Sequence, residues 1–267
     1  MSTSPPPKKA RTTLTYSLLY HSGIPGRGEY IRLLFEATNT PYTDVANTVD
    51  DGYLQVHAAL EKPPSPNSPI FAPPALSVPG AGRDGSTLLI SQTPNILGYL
   101  GPELGLTPED KAGQLWVQEI ALTALDLSNE AHDSHHPIAV SLYYEDQKRE
   151  ARRRAKDFRE NRIPKFLSYF EAVLKNNQKE GKGHYLVDSK LTYADTTVWQ
   201  VLDGIHFAFP NEMAYLKKSG KYSILLGTFY RDFKEENGIK EYLTSNRRLE
   251  FGMGLYRCYP ELDRKSG

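Results

Sequence analysis

The sequence predicts an α/β domain followed by a larger all-helical one. Two observations carry this expectation. Up to about residue 100, short apolar stretches alternate with helix-period segments in the order β-α-β, then β-β-α. Beyond the break "GPELGLT" strand signals almost vanish, and long helix-period stretches run to the end of the chain. The expected organisation is a flexible Pro/Ser/Lys-rich tail over residues 1–13, an α/β domain over 14–103 and a helical domain over 107–263.

In the first domain, residues 15–20 form a short apolar strand, and 28–38 carry Ile31, Leu34, Phe35 and Thr38 at helical spacing. Residues 41–45 are a second strand, and 51–60 a weaker helix. The stretch "EKPPSPNSPIFAPP" holds too many prolines for regular structure. Residues 75–78 and 87–90 flank "PGAGRDG" and read as an antiparallel hairpin with a long turn. The helix over 94–100 opens on a proline in its first turn, where the missing N–H costs nothing.

In the second domain "TPED", from Thr107, resembles a capping box, and a long helix follows with Trp116, Ile120, Thr123 and Leu127 on one stripe. Further helices are expected over 145–176, 192–207, 223–235 and 238–243.

Lys+Arg and Asp+Glu both number 32 in the 267 residues, so formal net charge is zero and no global field favours nucleic acid or anionic membrane. The single cysteine, Cys258, rules out an internal disulfide and any C-x-x-C motif. No apolar run reaches membrane-spanning length and no secretory signal is evident, so a cytoplasmic protein is expected.

The stretch "SLLYHSGIPGRGEYIRLLFEA" runs from strand through glycines into helix, which invites a dinucleotide reading. Its glycines, Gly23, Gly26 and Gly28, fall as G-x-x-G-x-G, the reverse of that fingerprint, and two of the four strands form a hairpin. The glycines then serve to reverse the chain. Tyr20 is left over: its hydroxyl ends a strand at the edge where open α/β sheets bind ligands.

Several pieces together resemble the cytosolic glutathione transferases. "YSLLYHSGIPGRGEYIRLLFEATNTPY" is similar to that family's first strand and helix, and "APPAL" to the segment in which a cis proline precedes the third strand. "LLISQTPNILGYL" resembles the family's Q-S-x-x-I-L-x-Y-L helix, and "LTYADTTVWQVL" its S/T-x-x-D helix start, with Thr192 as cap and Asp195 three residues on. The resemblance covers residues 14–263 and lies nearest the tyrosine-type (mu, pi, sigma-like) classes. It implies a thioredoxin-like N-terminal domain, an all-α C-terminal domain, a homodimer, and detoxifying conjugation of glutathione to apolar electrophiles. Glutathione is then a co-substrate, and no further cofactor is implied.

The chemistry matches the candidate residues. A thiol of pKa near 8.5 is only about 3% ionised at pH 7. A hydroxyl donating to the thiolate, worth roughly 1.5–3 kcal/mol, would lower that pKa by about 1–2 units. Tyr20 is the candidate donor and Ser22 the alternative; Tyr16 lies deeper in the strand and belongs to the core. By resemblance, the strand entered at Pro73, Pro74 and Ala75 pairs with glutathione's cysteinyl backbone. Either Pro73 or Pro74 is cis, and Pro73 lacks the N–H an ordinary residue would donate. Gln92 and Thr93 would meet the γ-glutamyl carboxylate at the helix N-terminus. Arg27 matches an arginine near the first turn, or is a solvated helix-start charge. Glu130 or Asp133 would reach the partner subunit's glutathione amine, and Tyr144 would line the electrophile pocket or pack between helices.

Three features remain. "HDSHHP" places His132 and His136 at i,i+4, but it lacks an accompanying Glu or Cys and ends in proline. A cluster lining the interdomain cleft is preferred, and no metal is assigned. The basic run "DQKREARRRAKDFRENR" interleaves acids and reads as a solvated helix face, not a nucleic-acid site. A catalytically silent binding protein on the same scaffold is the competing reading.

Overall fold

The computed structural model describes residues 15–265. The tail expected over 1–13 lies outside them.

Strands β1 (Tyr16–Leu19), β2 (Tyr42–Asp44), β3 (Ala75–Val78) and β4 (Leu88–Ser91) form one sheet in the order β2-β1-β3-β4. β1 and β2 are parallel, as a helical crossover allows, while β3 is antiparallel to both β1 and β4. The crossover is α1 (Glu29–Ala37), followed after β2 by a short α2 (Val45–Thr48) and by α3 (Gly52–Glu61). α4 (Thr93–Glu103) closes this half. The β-α-β, β-β-α order of the sequence is the observed one.

α1 is buried almost all round. Tyr30, Ile31, Leu33, Leu34 and Phe35 are fully inaccessible because the helix touches α4 within its own half and α8 and α11 beyond it. The expected stripe gave only part of that surface. Burial on every side also encloses Glu29 and Arg32, which must therefore be paired.

The second half holds α5 (Lys111–Asp133), α6 (Lys148–Asp157), α7 (Ile163–Lys179), α8 (Tyr193–Ala208), α9 (Pro210–Lys218), a one-turn α10 (Tyr230–Asp232) and α11 (Ile239–Thr244). α5 starts later than expected. Asp110, not Thr107, is its cap and accepts the Gly113 N–H at 2.9 Å, because the preceding segment is tied to α8 by Tyr193 N–H donating to the Leu106 carbonyl. The buried stripe of α5 is Val117, Ile120, Ala124, Leu127 and Ala131, which leaves Trp116 half exposed. The helix expected over 145–176 is interrupted by a π-helical turn, Phe158–Arg162, just before Pro164. An interior proline cannot donate to the ladder, and the wider turn absorbs that loss. α9 escaped the sequence reading because Pro210 looks like a stop, yet it occupies the first helical position.

Three arginines of the basic run turn inward, while Arg149, Arg152 and Arg153 stay exposed on the solvated face. Arg162 grips Glu130, with Arg154 beside it, and Arg159 reaches Glu212. Among the described residues, no helix is long and apolar enough to cross a membrane.

Asp195 carries the start of α8. Fully buried, it accepts the Thr192 N–H at 2.8 Å, the Thr192 hydroxyl at 2.7 Å and the Leu186 N–H at 2.8 Å. Burial pushes its carboxyl up to about 6 against the pull of these donors. Asp195→Ala should strand two buried N–H groups, each costing about 1–3 kcal/mol. The urea midpoint should fall accordingly with an unchanged slope; a loss under about 0.5 kcal/mol, the range of an ordinary surface substitution, would contradict this account of the cap.

Candidate functional site

Three chain segments end side by side at one edge of the sheet. Leu19 of β1 pairs with Ala75 of β3, which pairs with Ser91 of β4. The antiparallel sense of β3 then sets Tyr20, Pro74 and Gln92 in a row, one step beyond each paired residue. Strands lie about 4.7–4.9 Å apart, so the row spans roughly 10 Å, the scale of an extended dipeptide or tripeptide.

Tyr20 lies across the glycine turn. Its hydroxyl accepts the Arg27 N–H at 2.8 Å, and its ring rests on Gly26 and Gly28. A Cβ on Gly28 would come within 2.6 Å of the ring, and one on Gly26 would collide with the hydroxyl. The glycines are therefore there for the tyrosine and not for a phosphate. Burial raises the phenol's pKa, outweighing the Arg27 N–H and the charges of Arg27 and Arg32. The phenol keeps its proton at neutral pH, and the oxygen that accepts from Arg27 retains an O–H to donate.

The hydroxyl edge opens on a cleft of about 570 Å³ between the sheet half and the helical half, shared with Arg27, Asn129, His132, Asp133 and Arg257. The Arg27 guanidinium donates to Asn129 Oδ1 at 2.8 Å, which fixes it on the cleft wall. Ser22 is exposed on the turn and does not line this cleft, while Tyr16 packs in the core against Phe35.

The start of α4 is built differently from a resting helix end. Gln92 has φ +71° and ψ +121°, a conformation costing of order 1–3 kcal/mol for a residue with a side chain. No side chain caps the helix. The Thr93 hydroxyl is buried and has no hydrogen-bond partner. A strained residue, an uncapped N-terminus and an orphaned hydroxyl coincide where a bound anion would satisfy the donors.

Other expected residues sit elsewhere. The Pro73–Pro74 bond is cis, so Pro74 is the cis residue. Ala75 is fully buried and paired on both sides, by Leu19 and Ser91, so no ligand strand can add there. Pro73 and Pro74 offer only carbonyls. Glu130 is gripped by Arg162 at 2.6–3.1 Å and is committed to the fold. Asp133, by contrast, faces the cleft beside Tyr20 of its own chain. Tyr144 is 2% exposed, stacks on Tyr259 at 3.7 Å and donates to Glu261 at 2.9 Å, outside the cleft. Helix packing, not an electrophile pocket, accounts for it. Met253, Leu255 and Arg257 line the cleft from near the C-terminus and carry no local signal that would have revealed them.

Residues 132–246 match the family model for the glutathione S-transferase C-terminal domain. A glutathione S-transferase of Plasmodium falciparum is 22% identical over 233 residues, covering 86% of this chain and 96% of that protein. The chain is similar to the glutathione S-transferases over most of its length. Among solved structures, the sigma-class transferase of Fasciola hepatica shares the fold with a TM-score of 0.66 at 20% identity, over 90% of this chain and 99% of that one. The pi-class transferase of Onchocerca volvulus gives 0.62 at 20% identity, over 86% and 92%. The architecture of this chain is accordingly a thioredoxin-like sheet domain followed by an all-helical domain.

The packing of Tyr20 on the turn has a direct test. Gly23 and Gly26 both have positive φ, but only Gly26 lies against the tyrosine. Gly26→Ala should cost about 1–3 kcal/mol more than Gly23→Ala, the toll of overpacking. Equal shifts of the denaturant midpoint would refute the contact.

Proposed function

We infer that the protein is a glutathione transferase in which Tyr20 holds the thiolate and the start of α4 holds the γ-glutamyl carboxylate. The observation that carries this reading is the row itself. A protonated, N–H-supported phenol and an orphaned threonine hydroxyl at an uncapped helix stand two strands apart at one sheet edge. Tripeptide thiol and anion need those two environments at that separation.

The Tyr20 hydroxyl donates to the sulfur and favours its anion by roughly 1.5–3 kcal/mol, equivalent to about 1–2 pKa units. The Arg27 N–H, donating to the same oxygen, fixes the phenol and strengthens its donation. Thr93 supplies a hydroxyl and α4 its dipole to the carboxylate, while Gln92 projects from the same corner. Pro73 contributes a carbonyl to the ligand backbone, and Asp133 is the acid left to reach the ammonium group of the partner subunit's glutathione. The thiolate then attacks an electrophile seated over Ile24 and Met253. Conjugation of this kind serves detoxification.

Two substitutions separate these roles. Tyr20→Phe should lower turnover of glutathione with chlorodinitrobenzene by about ten-fold or more while glutathione affinity holds, the loss of one charged hydrogen bond. Thr93→Ala should instead raise the Michaelis constant for glutathione and leave the pKa of the bound thiol in place. Glutathione binding without turnover in the unaltered protein would favour a silent scaffold.

Self-association completes the reading. Phe71 is 94% exposed, and Leu115, Trp116 and Leu122 on α5 are about half exposed, an apolar surface that a two-fold partner would cover. Light scattering should give about twice the chain mass of 30.1 kDa, and Phe71→Ser should shift it toward the monomer. A fully active 30.1-kDa species would rule the homodimer out.

A further inference from the structure

The C-terminal end of α5 places His132, His135 and His136 so that one ring nitrogen of each lies within 4.8 Å of the other two. Sequence spacing paired only His132 with His136. His135 joins them because the chain continues past Asp133 in a helical turn at Ser134, which brings the next two rings back under the helix. We propose that these three imidazoles form a binding site for a divalent transition-metal ion, Zn²⁺ foremost, at the inner wall of the Tyr20 cleft.

The ring environments suit ligation. His135 is 1% and His136 8% exposed. Because the Leu255 carbonyl can only accept, His135 Nε2 is the protonated nitrogen and donates to it at 3.1 Å. That bond turns the His135 Nδ1 lone pair inward and is the outer-shell anchor that metal-bound histidines commonly have. The same Nδ1 lies 2.5 Å from His136 Nδ1, so two ring nitrogens converge on one small space.

Zinc with nitrogen ligands at about 2.0–2.1 Å needs its donors about 3.4 Å apart. The closest pair here falls below that spacing and the 4.8 Å limit above it, so modest ring rotations reach it. His132 also lines the cleft, which gives a water or exogenous ligand access to a fourth position. The charges facing the site are mixed. Asp133 is 3.7 Å from His132 Nδ1 and favours a cation. Arg27 and Arg257 share the cleft and oppose one, although their guanidinium groups donate to Asn129 at 2.8 Å and to the Gly254 carbonyl at 3.2 Å. The site is therefore tunable by charge, unlike a closed structural zinc centre.

The test is calorimetric titration of untagged, chelator-treated full-length protein with zinc chloride. One ion per chain is expected. His132→Ala, which leaves both buried rings in place, should weaken binding by at least about 10–100-fold, the loss that even an outer-shell partner carries. Arg257→Ala removes a like charge and should tighten binding. His184→Ala, on the half-exposed surface histidine, should leave the titration unchanged. If His132→Ala impairs folding, the zinc-dependent rise in Tm of the unaltered protein is read instead, because binding to the native state alone produces it. No stoichiometric zinc binding, a titration indifferent to His132→Ala, or weaker binding in Arg257→Ala would overturn the proposal.

Discussion

The structure is organised around one buried carboxylate, Glu29. It sits at the first position of α1, fully enclosed, and accepts from Tyr242 at 2.6 Å, from Arg32 at 3.1 Å and from Arg248. Burial alone would raise its pKa, but the two guanidinium charges and the tyrosine hold it below the usual carboxylate value. Arg32 extends the network to Asp44 at the end of β2, and Arg248 extends it to Asp203 and Gln200 on α8. One set of charges thus joins the sheet half, the central helix and the C-terminal loop. Removing a member of such a buried pair costs about 3–5 kcal/mol, because the partner is left charged and unsolvated.

This network also sets the site. Arg32 donates to the Pro25 carbonyl at 3.0 Å, which fixes the turn immediately before Gly26. That turn presents the Arg27 N–H to Tyr20, and the Arg32 guanidinium lies 5.9 Å from the same ring. The Tyr20 hydroxyl is therefore held from below by charges that never face the cleft. Preorganisation of this kind suits the role proposed for Tyr20, which is to meet a standing negative charge.

At the other end of the row the design is reversed. Where the Tyr20 corner is braced by the Arg27 N–H, the Gln92–Thr93 corner is strained and has an unpaired buried hydroxyl. Such defects persist only where surrounding structure enforces them, and here β4 and α4 do so on either side of a single residue. A bound anion, as proposed above, would repair what the protein alone leaves open. In the proposed function the two corners divide the labour: one would tune a sulfur and the other would hold the anion.

Local chemistry made much of this legible in the sequence. Tyr20 closing an apolar strand, Thr93 before a first-turn proline, the Pro73–Pro74 step and the Thr192–Asp195 box are all short-range patterns, and each has a local physical cause. The element order and the two-part fold followed from periodicity alone. Tertiary structure decided the rest, because the deciding contacts join distant residues. Arg248 meets Glu29 across 219 positions, and Tyr144 meets Glu261 across 117. Whether Glu130 or Asp133 faced the cleft depended on Arg162, 32 positions further on, which claims the first and leaves the second. Trp116 and Val117 are neighbours in a helix, and only the position of α8 against α5 determines which one is buried. A sequence specifies its own turns and caps, whereas partners brought together by packing are fixed only once the whole core has closed.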